Sequence, residues 1–299
     1  MGKYTLQQTT QTKSIFIISV AILMLLPTST ALASAEVFRI WAPREGGSVL
    51  VFSSQVFKLA MEKTVDEYGP YKIETLDEMT YQRVEVYLDE ENYNLILDSN
   101  ATPERMLDYI YIPFPVNRGI IGYRTFFVSP ESSRKMQNVK TIDDLKQFTI
   151  GQGTGWADVK ILENAGFSVV TTPVYETLFK MVTLNRFDLY GRGVTELFHE
   201  YDARKRTIEN LLYDKNICLY YPLPRFYFTH PSNAKGLKRL EKGLKKAYRD
   251  GSYLKLWREF YSEALNRGKL KHRTIFKIDN PLLKGIDQSY KKYIYDPLE

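Results

Sequence analysis

The stretch from Val37-Phe-Arg-Ile-Trp-Ala42 to Asn94-Leu-Ile-Leu-Asp98 alternates short apolar runs with longer helical patterns. Its middle β-rich run is Tyr71-Lys-Ile-Glu-Thr-Leu76, and apolar residues recur at helical spacing on both sides of that run. Parallel strands need a crossover connection, which is usually a helix. This order of elements therefore predicts a parallel sheet with crossover helices, that is, an α/β fold.

The same pattern starts again farther along the chain. A second series of short strands and helices lies between two long aromatic runs, at residues 118–128 and 224–229. We expect strands near 123–128 and 224–229, within these runs, to cross between two lobes, with one lobe inserted in the other. The prediction assigns residues 36–125 and 226–299 to lobe 1 and residues 126–225 to lobe 2. Ligands of open α/β sheets bind beyond the carboxyl ends of strands, so we expect a site in the cleft between the lobes.

The N-terminus has the pattern of a cleaved secretory signal. Residues 1–35 begin with a positive, acid-free segment, continue with an apolar run over 14–26, and end in overlapping Ala-x-Ala sites at Ala33 and Ala35. A membrane span needs about 20 apolar residues, so this run is too short for one. We predict a signal peptide and a periplasmic protein; the alternative is an anchor that is not cleaved.

Composition excludes several classes of protein. A chain of 299 residues with 44% hydrophobic and 25% charged residues is globular, and its single cysteine, Cys218, can form no internal disulfide. Loss of residues 1–35 removes Lys3 and Lys13 and no acid, which lowers the formal charge from +6 to +4. So mild a charge argues against a nucleic-acid partner. We expect a monomer.

Several short motifs resemble those of the periplasmic solute-binding proteins of the amino-acid ABC transporter type. The resemblance spans roughly residues 36–265 and rests on five motifs in the family's order: Asp98-Ser-Asn-Ala-Thr-Pro-Glu-Arg105, Thr141-Ile-Asp-Asp-Leu-Lys146, Gly151-Gln-Gly-Thr-Gly155, Leu184-Asn-Arg-Phe-Asp188 and Gly251-Ser-Tyr-Leu-Lys-Leu-Trp257. It implies a type II periplasmic-binding clamp with two hinge-crossing strands. It also implies a small-molecule ligand, captured by hinge closure and delivered to an ABC-type permease.

In the first lobe, the resemblance places a ligand carboxylate on Arg105, assisted by the upstream residues Asp98 and Asn100. A guanidinium is suited to this role because its rigid fork holds a carboxylate bidentately. The alternative is that Arg105 is paired with Glu104 or Asp108 and takes no part in binding.

In the second lobe, the glycine-rich loop before Trp156 ends a strand and opens a helix. Backbone N–H groups at a helix start, together with the hydroxyl of Thr154, suit an anionic group beside Gly155. The loop is not a dinucleotide-binding motif, because Trp156 stands where the last glycine is required. The alternative is that the loop is only a tight turn and binds no ligand. Trp156 either stacks on a ligand or packs in the core.

Two departures from the family pattern concern the ligand. Where the family has a carboxylate for the ligand's α-ammonium, five residues after Asp188, this chain has Gly193, preceded by Arg192. With Arg105 and Arg118, Arg192 predicts an anionic ligand, unless it forms a surface ion pair with Glu196.

The second departure lies after the first strand, where Ala42-Pro-Arg-Glu-Gly-Gly47 lacks the family's stacking aromatic residue. Arg44 and Tyr81 therefore join the candidates. The predicted ligand-binding residues are Arg105, Asn100, Asp98, Thr154, Gly155, Trp156, Arg192, Arg118, Arg44 and Tyr81.

Patterns typical of enzymes are missing from the sequence. His199-Glu200 is not followed by a second histidine at zinc-binding spacing, and no Gly-x-Ser-x-Gly sequence occurs. We expect no catalytic residues, metal or cofactor. Two alternatives remain open: the same clamp as a ligand sensor for a membrane receptor, and, less favoured, a secreted enzyme.

Overall fold

The computed structural model describes residues 1–3, 35–41, 47–76, 79 and 81–298, with the backbone alone at residues 47–49, 81 and 82. The predicted signal peptide therefore lies almost entirely outside the described residues. Among the residues that are described, no helix is both long enough and apolar enough to cross a membrane.

The elements follow the alternation that the sequence predicts. The described strands are β1 (Glu36–Trp41), β2 (Tyr71–Leu76), β3 (Leu95–Asn100), β4 (Ile110–Tyr111), β5 (Tyr123–Val128), β6 (Thr149–Gly153), β7 (Ser168–Thr172), β8 (Leu189–Gly193), β9 (Leu212–Tyr213), β10 (Ile217–Tyr220), β11 (Arg225–Thr229) and β12 (Thr274–Lys277). The described α-helices are α1 (Gly47–Glu62), α2 (Val65–Tyr68), α3 (Tyr81–Leu88), α4 (Pro103–Asp108), α5 (Pro130–Met136), α6 (Ile142–Leu145), α7 (Ala157–Asn164), α8 (Tyr175–Thr183), α9 (Val194–Arg204), α10 (Ala234–Arg249) and α11 (Ser252–Gly268).

The first lobe is built on a sheet in the order β2-β1-β3-β11-β4. β1 pairs in parallel with β2 and β3, and β11 runs antiparallel to β3. Helices α1 and α10 pack together, and Phe38 and Phe57 meet edge to face in the core with ring centroids 6.0 Å apart. The parallel part of this sheet confirms the α/β prediction.

The second lobe is built on a sheet in the order β12-β10-β5-β8-β6-β7, with β9 beside β5. β6 is parallel to β7 and β8, and β5 is antiparallel to β8 and β10. The predicted boundary differs here, because β12 belongs by sequence to the segment assigned to lobe 1. It pairs in parallel with β10 and so covers an edge of β10 that would otherwise present unpaired backbone groups.

Residues 112–122 and 221–224 connect the lobes and lead into β5 and β11, the two long aromatic strands. The strand predicted near 123–128 is confirmed as β5, and the residues before it in the β-rich run 118–128 are not part of the strand. Arg118 has a left-handed backbone (φ 57°), and residues 120–122 form a 3₁₀ turn. A strand cannot continue through a left-handed residue, so β5 begins only at Tyr123.

Candidate functional site

A cleft of about 1060 Å³ lies between the two lobes. This volume suits a small ligand, and both walls carry charged side chains. The charged lining residues are Glu85, Asp89, Glu104, Arg105, Asp108 and Arg225 from the first lobe, and Arg124, Asp158, Lys160, Arg192 and Glu196 from the second.

Arg105 and Asn100 reach the cleft because β3 ends where α4 begins. Thr102 is the N-cap of α4, and its side-chain oxygen accepts a hydrogen bond from the backbone N–H of Arg105 at 3.4 Å. Pro103 occupies the first turn, where a missing N–H costs nothing. This strand-to-helix turn places Arg105 at the carboxyl edge of the sheet, where the sequence predicts a ligand site.

Arg105 has an ion-pair partner in this arrangement. Its Nη2 lies 2.6 Å from Oε1 of Glu85 on α3, and its Nη1 donates to the carbonyl oxygen of Asn100 at 3.4 Å. The alternative partners named from the sequence, Glu104 and Asp108, are therefore replaced by a residue 20 positions upstream. The buried Oδ1 of Asn100 has no hydrogen-bond partner among the described residues.

Asp98 does not line the cleft. Its side chain is buried behind Arg225, whose Nε donates to Oδ2 of Asp98 at 3.1 Å. Burial raises the pKa of Asp98, and the attraction of Arg225 opposes this shift only in part. Asp98 thus holds Arg225 at the cleft. Sequence reasoning missed Arg225, because its place beside Asn100 follows from the pairing of β11 with β3.

The glycine-rich loop of the second lobe does reach the cleft, through Thr154, Gly155 and Trp156. The Trp156 indole lies on the backbone of Gly153, where an added Cβ would stand 2.3 Å from Cε2 of the indole. The backbone N–H of Thr154 donates to the carbonyl oxygen of Thr172 at 3.0 Å, so this N–H is already used within the lobe. Trp156 therefore both packs on its own loop and forms part of the cleft wall.

Arg192 is buried in an aromatic and acidic surround. Its Nη2 lies 2.9 Å from Glu196 and 2.6 Å from Glu200, and its guanidinium carbon is 5.1 Å from the centre of the Trp156 ring. The ion pair with Glu196 that the sequence offered as an alternative is present, but it does not lie at the surface, because Arg192 is only 9% exposed and has a second, buried partner in Glu200.

The charges of this group support one another. Burial opposes the charge on Arg192, but Glu196 and Glu200 outweigh it and raise the pKa of Arg192. Burial likewise opposes the charge on Glu200, yet Arg192 and a hydrogen bond from the Tyr175 hydroxyl lower the pKa of this carboxyl overall. Both groups are therefore ionised at neutral pH.

Arg124 is a cleft residue that sequence reasoning did not select. It lies on β5 and is fully buried, paired with Asp158 of α7 and bonded through Nε to the Tyr221 hydroxyl at 2.9 Å. Its Nη1 is 3.6 Å from Glu196. The sequence feature that indicates this residue is an arginine inside an aromatic, core-forming strand, because a buried charge must have a partner.

Besides Asp98, Arg118 is a predicted residue that does not line the cleft, and two further predicted positions are not described by the structure. Arg118 points to the C-terminal segment, where its Nε donates to the carbonyl oxygen of Tyr293 at 3.1 Å, and it is not among the residues that line the cleft. Arg44 lies outside the described residues. Tyr81 begins α3, and its side chain also lies outside them.

Every arginine that lines the described cleft has a carboxylate within ion-pair distance. The pairs are Arg105–Glu85, Arg124–Asp158, Arg192–Glu200 and Arg225–Asp98. A ligand therefore meets an array of alternating charges rather than a cluster of bare cations. No group of three or more His, Cys, Asp or Glu side chains in the described part of the chain is placed to hold a metal ion.

No known family model matches this sequence, and no curated protein matches it. Solved structures do match its fold. A histidine kinase sensor domain with similarity to periplasmic binding proteins has a TM-score of 0.53 and 13% identity, covering 76% of this chain and 96% of its own. An ancestral arginine-binding protein bound to arginine has a TM-score of 0.52 and 16% identity, covering 75% of this chain and 98% of its own.

A third similar structure is the ancestral amino acid-binding protein AncCDT-1, a precursor of cyclohexadienyl dehydratase. It has a TM-score of 0.51 and 13% identity, covering 75% of this chain and 95% of its own. Identities this low are informative about the fold alone. With its two sheets and the cleft between them, the chain has the two-lobed fold of the type II periplasmic binding proteins.

Proposed function

We propose that the protein is an exported solute-binding protein that captures a small, polar, carboxylate-bearing ligand and delivers it to an ABC-type permease. The observation that carries this proposal is the cleft, whose polar groups come from both lobes: Arg105 and Asn100 on one wall, Thr154, Trp156 and Arg192 on the other. A ligand that touches both walls stabilises the closed state through contacts that the open state lacks.

The pairing of the arginines bears on the charge of the ligand. A ligand carboxylate that approaches Arg105 must share or displace Glu85, which lies 2.6 Å away. A wholly anionic ligand would leave such a displaced carboxylate without a partner, and an unpaired charge in a closed cleft is costly. We therefore favour a ligand that carries a cationic group beside its carboxylate, so that both members of a pair are satisfied.

A thermal-shift screen of the secreted protein tests this proposal. The probes are amino acids, dicarboxylates, phosphorylated compounds and polyamines. A ligand present at 100 times its Kd stabilises the folded state by about 2.7 kcal/mol, which is a shift of several degrees in Tm. We expect the largest shift from a zwitterionic carboxylate. A preference for polyamines would contradict a carboxylate-bearing ligand, and turnover of the bound compound would contradict a binding protein.

Sensing is the second candidate function, because the similar structures include a histidine kinase sensor domain. The same clamp would then signal ligand closure to a membrane receptor. Uptake of the radiolabelled ligand by cells that lack this gene separates the two roles. Lost uptake supports delivery to a permease; normal uptake with a lost transcriptional response supports sensing.

A further inference from the structure

The segment that follows β12, residues 278–298, runs along the connections between the lobes. The backbone N–H of Ile278 donates to the carbonyl oxygen of Tyr220 at 2.9 Å, and Nδ2 of Asn280 donates to that of Pro222 at 2.8 Å. Residues 278–280 therefore follow the connection 221–224 out of the second lobe.

The next part of the segment lies on the first lobe while still touching the second. Leu283, Ile286 and Tyr290 are buried in a cluster with Phe226 and Phe228 of β11. The 3₁₀ turn formed by residues 281–283 lies against α7 of the second lobe, and Leu282 lines the cleft. One stretch of a few residues thus contacts both walls of the proposed ligand site.

The end of the segment is attached to the other connection, 112–122. The carbonyl oxygens of Tyr293 and Ile294 accept from Arg118, and the N–H of Tyr295 donates to the carbonyl oxygen of Arg118 at 2.9 Å. The Arg118 guanidinium also lies 5.0 Å from the centre of the Trp257 ring. These bonds hold Arg118 in its left-handed conformation, which a residue other than glycine rarely adopts.

The adjacent Gly119 shows how closely the segment lies on this connection. A Cβ on Gly119 would stand 2.7 Å from Cδ1 of Ile294, and its φ of +68° also favours glycine. The Ile294 side chain therefore lies directly on the backbone of this connection.

We propose that residues 278–298, anchored by Arg118, position the two walls of the ligand cleft by fixing the angle between the lobes. Hinge motion in a clamp is absorbed by φ and ψ changes in the few residues that connect the lobes. Here the connections 112–122 and 221–224 are both bonded to one segment, which directly follows β12 of the second sheet and is buried against the first. Arg118 is thus a positioning residue. The statement that these walls bind a ligand rests on the proposed function. The statement that the angle between the lobes is fixed is independent of it.

The test measures the distance between the lobes directly, without ligand. Spin labels are attached at Lys58→Cys on α1 and Lys180→Cys on α8, both exposed positions. The native Cys218 is buried, and burial raises its pKa to about 12, so it does not compete for the label. We expect a narrow distance distribution, which Arg118→Ala broadens at least twofold. Arg134→Ala, at an exposed arginine of α5, is the matched control and should leave the distribution narrow.

A distribution of equal width in the parent and in Arg118→Ala would overturn the proposal. Circular dichroism shows whether Arg118→Ala still folds. If it does not, Tyr295→Ala replaces it, since this change removes a ring 4.9 Å from that of Trp257 and leaves the arginine in place; it too should broaden the distribution. The distance measurement uses no ligand. A thermal-shift screen without hits would therefore contradict the proposed function but would not affect the measured distances.

Discussion

At the scale of single residues, the cleft shows how burial changes what a charge pair contributes. Arg204 and Glu176 form an ion pair in which the glutamate is 63% exposed, and such pairs stabilise proteins little because water and salt screen them. Arg192 and Glu200 form a pair whose side chains are only 10% and 9% exposed. Loss of Glu200 leaves the buried charge of Arg192 with one carboxylate, the partly exposed Glu196, instead of two.

Glu200→Gln is therefore expected to lower the free energy of unfolding by about 3 kcal/mol at neutral pH, measured by urea denaturation. Glu176→Gln is the control and should cost less than about 1 kcal/mol. Equal losses in the two variants would show that burial does not govern these pairs.

The effect of Glu200 also depends on pH in a defined direction. Its folded-state pKa lies below the ordinary value of 4.5, so its stabilisation is complete above that pH and is lost as the pH falls through the folded-state pKa. The difference in unfolding free energy between the parent and Glu200→Gln should be largest at neutral pH and narrow below pH 4.5. A difference that grows in acid would contradict the sign of this shift.

Arg105 gives a second prediction at this scale. If its guanidinium holds the ligand carboxylate, Arg105→Ala should weaken binding of a screen hit at least tenfold, which titration calorimetry measures. Arg134→Ala is again the control. Unchanged affinity in Arg105→Ala would show that the ligand carboxylate is bound elsewhere, with Arg124 as the next candidate.

At the scale of elements, strand β6 contains two glycines on which aromatic side chains lie. An added Cβ at Gly151 would stand 2.2 Å from the Phe187 ring, and one at Gly153 would stand 2.3 Å from the Trp156 ring. Phe187 is a core residue, whereas Trp156 lines the cleft. The two glycines therefore support different parts of the molecule from one strand.

Gly153→Ala is expected to displace Trp156, destabilise the protein by about 1–3 kcal/mol and change the affinity for a screen hit. Gly151→Ala should destabilise by a similar amount with little change in affinity, because its neighbour Phe187 lies away from the cleft. Urea denaturation and titration calorimetry separate the two effects. Loss of affinity in both variants to the same degree would contradict this division.

Local sequence patterns suffice to predict some of the strands and helices but not others. The strands β1, β2 and β3 and the intervening helices α1 and α3 are read from local apolar spacing and agree with the structure to within a few residues. β12 was not predicted, because its partner β10 lies more than fifty residues away. A local sequence pattern does not indicate with which distant strand a short apolar run will pair.

At the scale of the whole molecule, the first residue of β1 is tied to the core. Arg239 is fully buried, and its Nη1 lies 3.1 Å from Oε2 of Glu36, the first residue of β1. Its other donors are taken by the hydroxyl of Thr64 and the carbonyl oxygen of Gly69. Removal of Glu36 would leave the charge of Arg239 without a carboxylate.

Cleavage of the predicted signal is therefore expected after Ala33 or Ala35, so that Glu36 is kept. N-terminal sequencing of the secreted protein should begin at Ser34 or Glu36. Ala33 belongs to both overlapping sites, so Ala33→Phe should block processing and retain the precursor mass. A mature chain that begins beyond Glu36 would contradict both the predicted sites and the role of the Arg239 pair.

The sequence by itself determined the α/β class, the two lobes, the positions of Arg105 and Trp156 where a strand gives way to a helix, and the expectation of a cleft, because periodicity and capping act over a few neighbouring residues. Only the tertiary structure decided which carboxylate pairs with each arginine of that cleft. Glu85 reaches Arg105 from α3, Glu200 on α9 reaches back to Arg192 on β8, and Arg118 turns away to the C-terminal segment. A sequence shows which side chains carry charge, but their partners depend on how distant segments meet.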